Sequence, residues 1–342
     1  MTMNEQSNTL NKKQKVDWKN RIVWIILVTL FWYIFVFASF DQILFDSGVS
    51  PFSHMDIPSS VRFVIIYYLA TILEFAGILV YTRITKRNRF IFRSFMPAAP
   101  GNRFSALLWG LLVGFIMNFG CILWALLAGD IKLFFSFAIG QLPLFLFALV
   151  CVFIQSSAEE LWCRGFMYER INVHYPLWVA IAVNGLFFAA LHLGNPGAGF
   201  LPIFDIAVCG LSFSLAKWYT GSIWFPMGIH TAWNFTQNFL FGLPNSGLVS
   251  EASVFGLDAA SAQDSLFYNV AFGVEGAIPA VLADAALGAV CLVLAAKQGR
   301  LGELKQKKVT PSKDPEGPQP LSEYKSTVDN SVSEWHYTDT NK

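Results

Sequence analysis

Apolar residues in this chain run in long unbroken blocks, where a half-buried element would show alternation or a 3.6-residue stripe. The first block covers 22–40 and the second about 61–80; others cover 104–128, 176–193, 200–219, 223–241 and 278–296. A further block begins near Leu133 or Phe137 and runs into a glutamate pair. Each is close to the roughly 20 residues that a helix rising 1.5 Å per residue needs to cross the hydrocarbon core. The pattern predicts an all-α, polytopic membrane protein with about eight transmembrane helices, which puts both chain ends on one side. Residues 1–20 read as a polar tail, 21–300 as the transmembrane domain and 301–342, rich in Pro, Ser and charge, as a disordered tail.

What interrupts the blocks carries the chemistry. The stretch 156–170, SSAEELWCRGFMYER, sets Glu159, Glu160 and Arg164 directly after apolar sequence. At a helix centre in lipid an Asp, Lys or Arg costs about 2.5–3.5 kcal/mol, so such groups are functional candidates. Residues four apart share a helix face, which pairs Glu160 with Arg164 and turns Glu159 about 100° away, with no local partner. Two further pairs with the same spacing follow, Phe188 with His192 and His230 with Asn234. One buried histidine or one ion pair is ordinarily a packing device. Together, a lone carboxylate, two histidines and an asparagine make a hydrolase inventory: a base, a second proton-handling group and donors for an oxyanion. For His192 to meet Glu159, the fourth helix must run unbroken through Glu159 to at least Arg164, which defines a polar intramembrane chamber.

Composition sharpens this picture without altering it. Of 342 residues, 54% are hydrophobic and 14% charged, against about 25% charged in soluble domains. The net charge of +1 gives no reason to expect a nucleic-acid partner. Most Lys and Arg fall at the two ends and in 83–103, while 242–277 holds Glu251, Asp258, Asp264 and Glu275 without one basic residue. The positive-inside rule then puts both termini in the cytoplasm. The first block is too long for a signal-peptide core and reads as a retained span. The five cysteines follow neither a disulfide nor a zinc-ribbon spacing. Gly110 and Gly114 have the G-x-x-x-G spacing of a close helix approach. Lys217 is expected to snorkel, while Glu74, Asp205 and Asp284 are expected to pair with neighbours or line a cavity.

The ordered motifs E-E-x-x-x-R (Glu159, Glu160, Arg164), F-x-x-x-H (Phe188, His192) and H-x-x-x-N (His230, Asn234) resemble those of the CAAX protease and bacteriocin-processing family of intramembrane endopeptidases. The resemblance covers a catalytic core of about 133–241. It implies that Glu159, helped by His192, activates a water, that His230 and Asn234 stabilise the oxyanion, and that Glu160 and Arg164 order the site. No metal is required in this mechanism. Glu159, His192 and His230 could also ligate zinc with an open position for water, although the H-E-x-x-H helix of zincins is absent; the spacing leaves both versions open. The implied partners are a membrane-anchored peptide or protein substrate and the lipid bilayer, and the implied location is a prokaryotic plasma membrane. The competing readings are an inert membrane scaffold or bacteriocin-immunity protein of the same family and, third, a transporter.

Overall fold

The computed structural model describes residues 21–41, 59–250 and 253–308. The expected N-terminal tail and residues 309–342 of the expected C-terminal tail lie outside these. In chain order the helices are α1 (Ile22–Asp41), α2 (Ser59–Ile84), α3 (Arg89–Phe95), α4 (Phe104–Ala128), α5 (Leu142–Glu160), α6 (Tyr168–His174), α7 (Leu177–Leu191), α8 (Phe200–Thr220), α9 (Trp224–Phe235) and α10 (Ile278–Lys297). A π-helical turn, Leu161–Met167, joins α5 to α6. A helix therefore occupies every apolar block. Among the described residues four stretches are long and apolar enough to cross a membrane: Phe104–Ala128, the continuous Ile139–His174, Phe200–Thr220 and Ile278–Lys297. By contrast α7 and α9 have only 15 and 12 residues. The chain is a helical membrane protein.

The start of the fourth block corrects the sequence reading. Leu133–Phe135 is a strand, β1, paired antiparallel with β2 (Phe255–Leu257) in the register Leu133↔Leu257. Two residues exclude a helix there. Gly129 ends α4 in the left-handed region at φ 79°, a conformation glycine adopts without a Cβ penalty. Pro143 stands in the first turn of α5, where its missing N–H costs nothing; ten residues inside a helix begun at Leu133 it would break the ladder. Opposite Phe134 the partner strand offers Gly256, whose added Cβ would lie 2.5 Å from that ring.

Small residues set the helix spacing around the future site. A Cβ on Gly110 would come within 2.2 Å of the Phe225 carbonyl oxygen, and one on Gly114 within 2.2 Å of that of Ile229. From the other side, a Cβ on Gly228 would meet the Leu107 carbonyl oxygen at 2.5 Å. The predicted close approach thus joins α4 to α9, the helix carrying His230. Gly210 of α8 makes a similar approach to Gly185 of α7, at 2.8 Å from its Cα. Lipid chains are as apolar as Leu, so packing of this kind, and not exclusion of apolar surface from water, holds membrane helices together.

The other end of the bundle is closed by residues assigned above to a disordered tail. Arg300–Lys305 form 3-10 turns, and the Trp218 indole N–H donates to Glu303 Oε2 at 2.8 Å. The backbone N–H of Leu177 donates to the Gln306 carbonyl at 3.0 Å and that of Lys308 to the Asn172 carbonyl at 2.9 Å. Lys308 Nζ reaches Glu169 at 2.6 Å. Lys217 does not snorkel: it is buried, pairs with the same Glu169 and lies 3.9 Å from the Tyr168 ring centroid.

Two glycines of α4 separate sharply in what they tolerate. Gly114→Ala is expected to destabilise by about 1–3 kcal/mol through overpacking against backbone. Gly120→Ala, with nothing within 4 Å, is expected to be neutral or to stabilise by up to about 1 kcal/mol. Thermal unfolding of both variants in lipid or detergent checks the contrast, and equal melting temperatures would contradict it.

Candidate active site

The site is built first on the continuity of α5 with α6. The helix runs through Glu159 and Arg164 to His174, as closure of the chamber requires, but with a π-helical turn inserted at Leu161–Met167. Glu159 and His192 each lie roughly 15 residues from the Tyr175–Pro176 turn, about 22 Å along a helix axis. The antiparallel pair therefore brings them to one height without unusual tilt. Such π turns are common at functional sites because they re-aim side chains and leave backbone groups unpaired. Here the Cys163 carbonyl accepts from Asn184 Nδ2 of α7 at 2.5 Å. Gly165 admits the Phe95 ring of α3, which a Cβ would meet at 2.5 Å. Asn184 precedes Phe188 by four residues, so the spacing that exposed Phe188 and His192 also marks it.

Arg164 is fully buried. Its Nη1 donates to Glu160 Oε1 at 3.0 Å, and its guanidinium carbon lies 4.1 Å from the Phe188 ring centroid and 5.5 Å from that of Phe213. Negative aromatic faces thus supplement a single carboxylate as counter-charge. The same Glu160 Oε1 lies 3.0 Å from His230 Nδ1. A carboxylate only accepts, so Nδ1 carries the proton of that bond. His230 Nε2 is left 3.9 Å from Glu159 Oε2.

Glu159 does have a local partner, contrary to the sequence reading: Gln155, one turn earlier, donates its Nε2 to Glu159 Oε1 at 2.5 Å. Gln155 Oε1 accepts from Asn234 Nδ2 at 3.2 Å, and Asn234 Oδ1 accepts from Asn245 Nδ2 at 3.3 Å. Asn245 donates as well to Glu275 Oε1 at 3.0 Å. The Glu275 carboxylate takes three more bonds, from Trp233 Nε1 at 2.8 Å, the Ser246 N–H at 2.6 Å and Ser246 Oγ at 2.7 Å. Burial lifts the Glu275 carboxyl above its ordinary range, against the pull of the Ser246 and Trp233 bonds and of the nearby His192. Gln155, Asn245 and Glu275 belong to none of the three sequence motifs. For Gln155 the signal existed, an amide four residues before Glu159; for the other two it did not, because they lie in a long loop.

His192 caps the C-terminus of α7, with Nδ1 2.8 Å from the Phe188 carbonyl oxygen. That carbonyl can only accept, which leaves Nε2 as the ring's acceptor. His192, Glu159, His230 and Asn234 line one cavity of about 190 Å³, together with Asp205 and Asp284. The candidate zinc donors share this cavity but not a coordination sphere: among the described residues no three His, Cys, Asp or Glu are grouped as metal ligands.

Residues 140–236 match the family described as "Type II CAAX prenyl endopeptidase Rce1-like", in line with the motif resemblance, and the matched segment contains every motif residue. The chain is also similar to a protein of Bacillus subtilis (strain 168) named "Uncharacterized protein YyaK", 32% identical over 130 residues. That alignment covers 36% of this chain and 43% of the relative, less than half of its length.

Removing one member of a buried ion pair strands the other's charge. Arg164→Met is therefore expected to cost about 3–5 kcal/mol, and Glu160→Gln/Arg164→Met distinctly less than that. Unfolding of the single and double variants measures the difference; a double variant as unstable as the sum of the singles would refute the coupling.

Proposed function

We propose that this chain is an intramembrane endopeptidase that hydrolyses a peptide bond of a membrane-anchored protein or peptide, with Glu159 and His192 activating the attacking water. The observation that carries the reading is the convergence of Glu159, His192, His230 and Asn234 from α5, α7 and α9 on one cavity of about 190 Å³. Glu159, held by Gln155, removes a proton from a water oriented by the acceptor nitrogen of His192. The water oxygen attacks the scissile carbonyl, and the C=O pair moves onto its oxygen. Asn234 Nδ2 has a second N–H beyond the one given to Gln155, and His230 in its imidazolium form adds Nε2–H; both can donate to the oxyanion. The proton on Glu159 then passes to the leaving nitrogen as the C–N bond breaks.

This mechanism uses no metal. Glu160 and Arg164 fix His230 and close the site, and neither touches substrate. CAAX-type C-termini and bacteriocin leaders are the substrate classes that fit this reading, in a prokaryotic plasma membrane with both chain ends on the cytoplasmic side.

The decisive experiment is cleavage of a library of membrane-anchored peptides by the purified protein in lipid. Glu159→Gln and His192→Ala are each expected to lower the rate by 100-fold or more, in keeping with the roughly 10²–10⁴-fold range of general base catalysis, and chelator is expected to leave it unchanged. Full activity in a folded Glu159→Gln protein would overturn the assignment. Loss of activity on chelation, restored by zinc, would replace it with a metal mechanism.

A further inference from the structure

The cavity holds more acid than the proposed chemistry uses. Asp205 on α8 and Asp284 on α10 line it beside Glu159 and Glu275, and neither of their helices contributes a motif residue. Both are almost wholly buried, at 1% and 2% exposure. Glu275 is saturated by its four hydrogen bonds. Asp205 Oδ1 and Asp284 Oδ1, like Glu159 Oε2, have no hydrogen-bond partner among the described residues, while the Cys209 thiol donates to the Asp284 carboxyl.

No Lys or Arg lines the cavity. The nearby Arg164 acts on Asp284 only through space, its guanidinium being held by Glu160 and two aromatic faces. Of the two histidines, His230 is held by Glu160 and His192 by the Phe188 carbonyl. Carboxyl groups buried at this depth ordinarily pair with one another's counter-charges or serve a pathway or site. Among the described residues no Lys or Arg stands beside them in the cavity, and the His230 ring is directed to Glu160 and Glu159.

Resting on the hydrolase reading above, we propose that Asp205 and Asp284 form an acidic subsite that receives a cationic side chain, Lys or Arg, of the substrate near the scissile bond. An ammonium or guanidinium entering the cavity offers several N–H donors to oxygens that have none, and charge-assisted bonds of this kind are about twice as strong as neutral ones. The neutral isostere of the same substrate leaves both oxygens unpaired, so the subsite discriminates by charge and not by size.

The test uses the full chain in lipid with N-acetylated, C-amidated, dansyl-labelled peptides that carry a membrane anchor. Members of the series differ only in having Lys or its uncharged isostere norleucine at each successive position. Binding by fluorescence anisotropy is measured separately from cleavage, for wild type, Asp205→Asn and Asp284→Asn. The expected result is one position at which Lys binds wild type about 10-fold tighter or more, with the preference falling below about 3-fold in each variant. Equal binding of Lys and norleucine by wild type at every position overturns the subsite without reference to any variant. A preference that survives in both variants overturns it too. A Lys preference without cleavage of any peptide keeps the subsite and removes the hydrolase; cleavage without a Lys preference does the reverse.

Discussion

A full positive charge sits where water does not reach, and the arrangement around Arg164 follows from that constraint. An uncompensated guanidinium in such a place would unfold the bundle, so three elements converge on it: Glu160 at the end of α5, Phe188 on α7 and Phe213 on α8. The oxygen that holds Arg164 holds His230 as well. One atom, Glu160 Oε1, therefore ties the π turn to α9. Because Glu160 is fixed from two sides, its neighbour Glu159 is the carboxylate left to face the cavity.

Adjacent glutamates thus divide the work by helix geometry alone. Successive side chains point about 100° apart, so one enters the packed interior and the other the chamber. The chamber side has its own support, running from Glu159 through Gln155, Asn234 and Asn245 to Glu275. This network joins α5 and α9 to the loop that precedes α10, and it orients the Asn234 amide from both ends. A polar network survives at such depth when its members satisfy one another. Asp205 and Asp284 stand outside it, each with one carboxyl oxygen, Oδ1, that has no hydrogen-bond partner among the described residues.

Close helix contacts make these distances attainable. Gly110 and Gly114 bring α4 against α9, and Gly185 and Gly210 bring α7 against α8. The aromatic faces over Arg164 come from this second pair, so the small-residue contacts and the buried cation belong to one packing arrangement. At the opposite end of α6 and α8, Glu169 gathers Lys217 and Lys308, a second buried ionic cluster with no share in the cavity.

Every motif residue was legible in the sequence, because i, i+4 spacing inside an apolar block is a local signal that helix geometry converts directly into a shared face. The helical membrane class and the helix running on past Glu159 were legible for the same reason. The strand at Leu133–Phe135 was not, since a short apolar run has no period of its own and its partner lies more than 100 residues later. Pro143 could have excluded a helix there. Gln155 carried a local signal; Asn245 and Glu275 carried none, being loop residues whose meaning depends on what they meet. Tertiary structure alone decided that Phe188 covers Arg164, that one carboxylate oxygen serves both Arg164 and His230, and that Asp205 and Asp284 open into the cavity of Glu159. The sequence determined which faces are polar. Only the packing of helices distant in the chain could determine which faces meet, because a side chain's partner across an interface is fixed by helix spacing and height and leaves no mark within its own stretch of sequence.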